Sequence, residues 1–453
     1  MLVPPKASRR MKVAVARETF PGERRVALIP ANVPQLVDQG AEVLVEAGAG
    51  HAAGFADQEY IAKGARLVSS RREAFAADLV VQVRSLGTNL QAGRSDLELI
   101  KNRHTLVGLC DPLGEPQAAA EIAKTGATLL SLELIPRISR AQSMDVLSSM
   151  ATLAGYKAVL LAAVELPRMF PLMMTAAGTL KAARVLIVGV GVAGLQAIAT
   201  ARRLGAIVQA YDVRPACREQ VESLGSKFVE LDLETGQAED AGGYAKAQQE
   251  DFYRRQRELL GDVVAQNDVV ITTAAIPGKK SPLLVTKAAV EAMTSGSVIV
   301  DLAAERGGNC ELTRADQRVE HGGVVILGPT NLPSQAAYHG SQMFSGNVTR
   351  FLLGLIRDGK LQLDIDDEVV RDTLVCRHHE VVNHRVRELL GLEPGVPAAE
   401  EPPADEGSVA EKDEAADGSP AGDDGQQYGA IRDEDTERDL RLQEPEAEEG
   451  DIT

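Results

Sequence analysis

Short runs of apolar, often β-branched residues alternate along the chain with longer Ala- and Leu-rich segments of helical periodicity. Early in the chain the runs are MKVAVA, AEVLVEA, DLVVQV, TLVGLC and TLLSLEL, and ANVPQLVDQG, DQEYIAKGA and EPQAAAEIAKTG lie among them. Strand-length runs separated by amphipathic helices predict βαβ units and a parallel sheet. A second series repeats the pattern: RVLIVGV, IVQAYDV, KFVELDL, DVVITTA, SVIVDLA and GGVVILG. Between the two series lie the polar loop IPRISRAQS and a long periodic stretch from about Met144 to Leu166, for which Ser143 is the expected N-cap. The pattern predicts an α/β chain of two Rossmann-like, doubly wound domains joined by long helices. Residues 1–140 form the N-terminal domain and residues 144–335 the second. A further helical pattern from His339 to Gly359 is expected to cross back, so that residues 340–390 complete the first domain.

Composition changes the picture at the C-terminus. Residues 393–453 hold 21 acidic and 4 basic residues, whereas residues 1–392 hold 44 of each, so the net charge of -17 belongs to the tail alone. The tail is rich in Pro, Gly, Ala and acid, cannot bury enough apolar surface to offset its ordering entropy, and is expected to be disordered. A neutral body with 3% aromatics lacks the basic surface and stacking platforms that nucleic acids require. Cys110, Cys217, Cys310 and Cys376 are widely spaced, which offers neither a zinc set nor a disulfide framework and makes a reduced compartment the default. Apolar stretches such as Ala158–Val164 are bounded by Lys157 and Glu165, so no direct membrane span is expected. MLVPPKASRR has no apolar core of a signal peptide.

Candidate chemistry centres on VLIVGVGVAGLQAIA, where Gly189, Gly191 and Gly194 follow an apolar run and open an Ala-rich helix. The first glycine makes the turn, the second lets a pyrophosphate approach the backbone at a helix N-terminus, and the third permits close packing of helix on sheet. Val192 and Ala193 complete the turn. Asp212, 23 positions after Gly189, ends the next strand, where a carboxylate accepts hydrogen bonds from the adenosine ribose and repels a 2′-phosphate. NAD(H) is thereby favoured over NADP(H), with Arg214, beyond Val213, as the contrary note.

A dehydrogenase acting on an alcohol or amine also needs a general base. His51 and His104 are the only histidines before the long helix, and Asp111 and Glu133 near strand ends are the acidic alternatives, of a kind common in any α/β protein. Hydride transfer between two nicotinamides moves no proton and needs only that the rings be positioned.

At PRISRAQSMDVLSSMATLAGYKAV, GVGVAGLQAI, YDVRP, GGYAK and TTAAIPGK, the chain resembles the alanine dehydrogenase/transhydrogenase family, and within it the NAD(H)-binding components of proton-translocating transhydrogenases. The similarity runs from residue 11 to about residue 385. It implies that Arg137, Gln142, Asp145 and Ser148 border the nicotinamide: Arg137, Asp145 and Ser148 orient its carboxamide and ribose, and Gln142 reaches toward a second nucleotide. Ile138 and Ser139 lie in the same loop and are implied cofactor contacts. Gly243 and Tyr244 match a loop that closes over NAD in the family, and Gln256 and Ala275 match further contacts, the latter position being usually Leu. The Lys and His that serve alanine dehydrogenases align with Gln82 and Cys110, so both catalytic groups are replaced.

The resemblance further implies NAD(H) bound here and NADP(H) on a partner β subunit, a membrane-spanning partner subunit that moves protons, a homodimer of this component, and a cytoplasmic location peripheral to the inner membrane through those partners. The acidic tail has no counterpart in the family. Two other readings compete: an alanine dehydrogenase-like enzyme, against which Gln82 and Cys110 argue, and an NAD-sensing module whose tail recruits partners.

Overall fold

Six strands of the first series pair in parallel: β1 (Lys12–Val15), β2 (Glu42–Glu46), β3 (Arg66–Val68), β4 (Leu79–Arg84), β5 (Thr105–Leu109) and β6 (Thr128–Ser131). The computed structural model describes residues 10–233, 250–276 and 278–393, and Gly243, Tyr244 and nearly all of the acidic tail lie outside these. Alternate residues of β1 enter different cores, Val13 and Val15 on one face and Ala14 on the other. Burial on both faces is what makes such strands read as continuous apolar runs. One face is covered by the helix Ala337–Leu355, whose Phe344, Val348, Phe351 and Leu352 are fully or almost fully buried. The other is covered by Pro116–Ala123.

After the hairpin β7 (Met173–Thr175) and β8 (Gly178–Leu180), a second parallel set follows. It comprises β9 (Arg184–Val188), β10 (Ile207–Tyr211), β11 (Lys227–Phe228), β12 (Val269–Thr272) and β13 (Val298–Asp301), with β14 (Arg318–His321) antiparallel to β15 (Val324–Leu327) at its edge. Past a short ribbon of β16 (Ile356–Arg357) and β17 (Lys360–Leu361), β18 (Leu374–Arg377) and β19 (Glu380–Val381) return antiparallel to the edge of the first sheet. The sheet orders are β19-β18-β6-β5-β4-β1-β2-β3 and β11-β10-β9-β12-β13-β15-β14. Both contain the doubly wound order, with topological switch points between β1 and β4 and between β9 and β12. We call the two sheets with their helices the first and second lobes; contacts join the two lobes into one unit.

The long helix spans Val146–Glu165, and one expectation about it is corrected. Its N-cap is Asp145 rather than Ser143: the Asp145 carboxylate accepts from Ser148 N at 2.9 Å and Ser148 Oγ at 2.5 Å, while Ser143 lies in the preceding 3₁₀ turn. The helix is also long and apolar enough, by length and composition, to cross a membrane, because one internal charge, Lys157, does not offset nineteen other residues of mostly apolar character. It packs against the helices Val192–Arg203 and Ala337–Leu355, and among the described residues no other helix meets the same criterion.

Candidate functional site

Open α/β sheets bind ligands beyond the carboxyl ends of their strands at the switch point, and this chain has two. The first is closed by the protein itself. Glu18, just after β1, accepts from Val83 N at 2.6 Å and Arg84 N at 3.1 Å on β4, and burial pushes its carboxyl up to about 7. Beside it the Glu23 side chain is fully buried against Arg25 and Arg84. The second switch point is open. A Cβ built on Gly191 would meet no atom within 4 Å, so the turn after β9 presents bare backbone to the cleft.

That turn is built as its glycines require. Gly189 adopts φ +97°, a left-handed conformation that side chains disfavour, and its carbonyl accepts from Thr273 Oγ1 at 2.9 Å across the switch point. A Cβ on Gly194 would collide with the Gly189 carbonyl oxygen, so the third glycine is what lets the helix Val192–Arg203 begin this close to β9. Gly191 caps this helix without a side-chain bond, which leaves its first N–H groups directed at the open cleft, the arrangement that holds phosphates. Val192 is exposed and Ala193 partly buried at its first turn.

Asp212, beyond β10, is placed at the turn but is not idle. Its Oδ2 accepts from Val190 N at 2.7 Å and Arg214 Nη2 at 2.9 Å, and its Oδ1 accepts from Arg214 N and Arg214 Nε, both at 2.9 Å. A carboxylate has about four acceptor sites, and here all four are taken. Arg214 thus occupies the carboxylate that is expected to receive the ribose. Val213 between them is partly buried. Gln256, expected to touch the cofactor, is buried, its Nε2 donating to Tyr211 Oη at 2.8 Å. Burial, partly countered by this bond, pushes the Tyr211 hydroxyl up to about 12. Ala275 is exposed in the loop after β12. That loop is pinned by Asn309, whose side chain pairs with Ala274 N at 3.0 Å and Ala274 O at 2.8 Å, while Asp301 accepts Asn309 N at 2.7 Å.

The residues expected at the nicotinamide form one segment. Arg137, Ser139 and Gln142 are exposed and Ile138 half-buried in the loop before the long helix, and Asp145 and Ser148 bond each other at its first turn. Asn347 Nδ2 donates to Ser143 O at 2.8 Å and ties this loop to the first lobe. The link from this segment to the glycine turn is the helix itself. Gly155, which nothing in the local pattern marks out, meets the first turn of Val192–Arg203, and a Cβ on it would strike the Ala193 carbonyl. Ser148 stands seven residues before Gly155, about 10 Å along the helix axis at ~1.5 Å per residue. Gly155→Val should therefore wedge the two helices apart, cost about 1–3 kcal/mol in urea unfolding, and lower NADH affinity. Unchanged affinity would show that the helix contact does not set the turn.

The acid–base candidates are all committed elsewhere. His104 precedes β5 at the far end of the sheet, and burial, with Arg103 nearby, lowers it to about 4. His51 is exposed beside Asp57. Glu133 accepts from Asp111 N and Ser131 Oγ, each at 2.7 Å, and Asp111 accepts from Arg306 at 2.5 Å. Gln82 Nε2 donates to Asp96 at 3.2 Å, and the buried Cys110 thiol is pushed well up by desolvation. No cluster of metal-ligating residues occurs among the described residues.

Residues 14–154 match the alanine dehydrogenase/PNT N-terminal domain, and residues 158–384 the C-terminal domain of the same family. The chain is 47% identical over 377 residues to the first portion of NAD(P) transhydrogenase subunit alpha from Rhodospirillum rubrum, covering 82% of this chain and 98% of that protein. It is similar to the crystal structure of transhydrogenase from Sinorhizobium meliloti, with TM-score 0.73 and 42% identity over 82% of this chain and 100% of that one. It is also similar to a solved L-alanine dehydrogenase, with TM-score 0.71 and 26% identity over 84% of this chain and 99% of that one. The chain belongs to the alanine dehydrogenase/PNT family.

Proposed function

We propose that this chain binds NAD(H) along the Gly189–Gly194 turn and passes hydride from NADH to NADP⁺ held on a partner β subunit, coupled to proton movement through a membrane-spanning partner. The observation that carries the reading is the pairing of an open nucleotide turn with a cleft whose acid–base groups are all committed. Gln82 and Cys110 stand where alanine dehydrogenases would need a Lys and a His, and neither titrates to serve as a base. The groups left at the nicotinamide end can orient a ring and need not move a proton. Bound NAD(H) would supply the hydride. Arg137, Asp145 and Ser148 would fix the carboxamide and ribose, and exposed Gln142 would face the second nucleotide. Their contribution is positioning, which is the main requirement when two rings must meet face to face.

A homodimer belongs to the same reading. The ribbon β7–β8 is exposed throughout, Met174 at 81%, and Leu172, Met169 and Val164 beside it in sequence are exposed too. Exposed apolar side chains gathered in this stretch of the chain fit a second copy. Through its partners the chain would lie at the cytoplasmic face of the inner membrane.

Mixing the full chain with a separately prepared NADP-binding domain should give hydride exchange between nucleotide analogues, and pyruvate with ammonium should not oxidise NADH. Gln142→Ala should slow exchange roughly 10- to 100-fold while NADH affinity holds, since a misplaced ring costs rate rather than binding. No exchange, with both nucleotides shown to be bound, would sink the proposal.

A further inference from the structure

Asp111 and Glu133 have no part in the chemistry above, yet their geometry is unusual. Asp111 follows β5 with φ +43°, a left-handed conformation that for a side-chain-bearing residue persists only when its surroundings hold it. Two things hold it: the half-buried Glu133 carboxylate, whose Oε1 accepts from Asp111 N and Oε2 from Ser131 Oγ, each at 2.7 Å, and its own turn, where Asp111 O accepts from Gly114 N at 3.1 Å and Glu115 N at 2.8 Å. So held, Asp111 turns its own carboxylate across the lobe boundary, where Oδ1 accepts from Arg306 Nη2 at 2.5 Å. Arg306 lies in the 3₁₀ turn Ala304–Arg306 after β13, and its neighbour Glu305 faces Arg84 of the first lobe at 3.7 Å. Lys280 packs over Gly307, and a Cβ on Gly278 would lie 2.8 Å from Leu113 Cβ, so the loop that carries Ala275 bears on the same junction.

We infer that Glu133 is a positioning residue for an interlobe latch: ionised, it holds Asp111 in place for Arg306 and ties the lobes together, and on taking up a proton it releases them. Two effects act in the same direction. A carboxylate accepts the Asp111 N–H more strongly than a neutral carboxyl does. Its charge also adds to that of Asp111 in the field that attracts Arg306. Besides Asp111, whose charge adds to the effect of burial on Glu133, the Cys110 thiol just past β5 faces it, with the Cys376 thiol of β18 beside Cys110, and burial keeps both thiols protonated. Burial pushes Glu133 itself up to about 7, so the latch should respond around neutrality, tight above it and loose below. Only the consequence of the latch for nucleotide binding in the cleft rests on the function proposed above.

The four native cysteines are buried, so spin labels can be placed at Gln117→Cys in the first lobe and Thr294→Cys in the second, and the interlobe distance measured in the full chain without nucleotide or partner. A single short distance is expected at about pH 8.5, and a second, longer population should appear by about pH 5.5. Glu133→Gln and Arg306→Ala should each show the longer population at both pH values. If the wild-type distribution does not change with pH, or Glu133→Gln shifts as the wild type does, the inference is overturned. Should Glu133→Gln fail to fold, Arg306→Ala decides on its own: half-exposed and not itself bonded to Glu133, it must abolish the pH response or the latch is wrong. Because no hydride moves in this measurement, a pH response without hydride exchange would sink the proposed function and leave the latch standing.

Discussion

Glu23→Ala is expected to lower the stability of the chain by about 3–5 kcal/mol, read as a shift in its urea unfolding midpoint at constant slope. Glu23 is the centre of a buried ionic cluster. Its Oε1 accepts from Arg25 N at 3.0 Å and Arg25 Nε at 2.8 Å, and its Oε2 from Arg25 Nη2 at 2.6 Å, Arg84 Nε at 3.2 Å and Asn331 Nδ2 at 3.1 Å. The side chains of Glu23, Arg25 and Arg84 are 0%, 2% and 8% exposed. Removing the carboxylate would leave Arg25 in the interior with no counter-charge and Arg84 with only the exposed Glu305 at 3.7 Å, and that under-compensated burial, more than the lost bonds, sets the size of the effect. The cluster also joins separate parts of the fold, since Arg25 reaches Met150 on the long helix and Asn331 beyond β15. Burial raises the Glu23 carboxyl, but the two guanidinium groups outweigh it and hold it at about 2. A carboxyl depressed in the fold stabilises it above the ordinary value of about 4.5, and that contribution is lost as pH falls from there to about 2. Wild type should therefore lose stability more steeply over that interval than Glu23→Ala. Replacing Glu23, Arg25 and Arg84 together with apolar residues of similar size should cost less than Glu23→Ala alone; an equal or larger cost would assign the loss to packing.

The features legible from the residues were those governed by local period. Runs such as VLIVGV and SVIVDLA are buried on both faces, and burial on both faces leaves a continuous apolar signature. Strands β3, β14 and β19 were not legible, because each is short and lies at a sheet edge, where exposed residues such as Arg66 and Glu320 mask the pattern. The glycine turn could be read because each of its glycines answers a backbone need. Gly155 could not, since its reason is a carbonyl on another helix. Nor could the cap of the long helix be chosen from sequence: Ser143 and Asp145 are both good caps, and only the reach of the Asp145 carboxylate to Ser148 decides between them. Burial of Gln256 against Tyr211, and sealing of the first switch point by Glu18, are long-range facts of the same kind. They depend on which strand ends meet, and spacing along the chain carries no record of that.

Asp212→Asn is expected to weaken NADH binding about 10- to 100-fold, and Arg214→Ala to leave it within about threefold or improve it, both read by titration of nucleotide fluorescence. The cause is the saturated carboxylate. Ribose hydroxyls can donate to Asp212 only if Arg214 withdraws, so the guanidinium competes with the nucleotide for the same four acceptor sites. Asparagine offers a single acceptor oxygen, already needed by Val190 N, and presents an amide where the ribose requires an acceptor. A hydrogen bond to a charged group contributes roughly 1.5–3 kcal/mol, which is about one to two decades of affinity. Alanine at 214 removes the competitor and leaves the carboxylate. The two variants should differ again with NADPH. In Asp212→Asn the repulsion of a 2′-phosphate is gone and Arg214, no longer paired with Asp212, can turn to it, so NADPH should gain relative to NADH. In Arg214→Ala the carboxylate still repels the phosphate, and preference for NADH should sharpen. If Arg214→Ala instead weakens NADH as much as Asp212→Asn does, the guanidinium is a direct support of the nucleotide and the competition is absent. The single pair would then act as one unit, and the choice between NADH and NADPH would have to be made elsewhere along the turn.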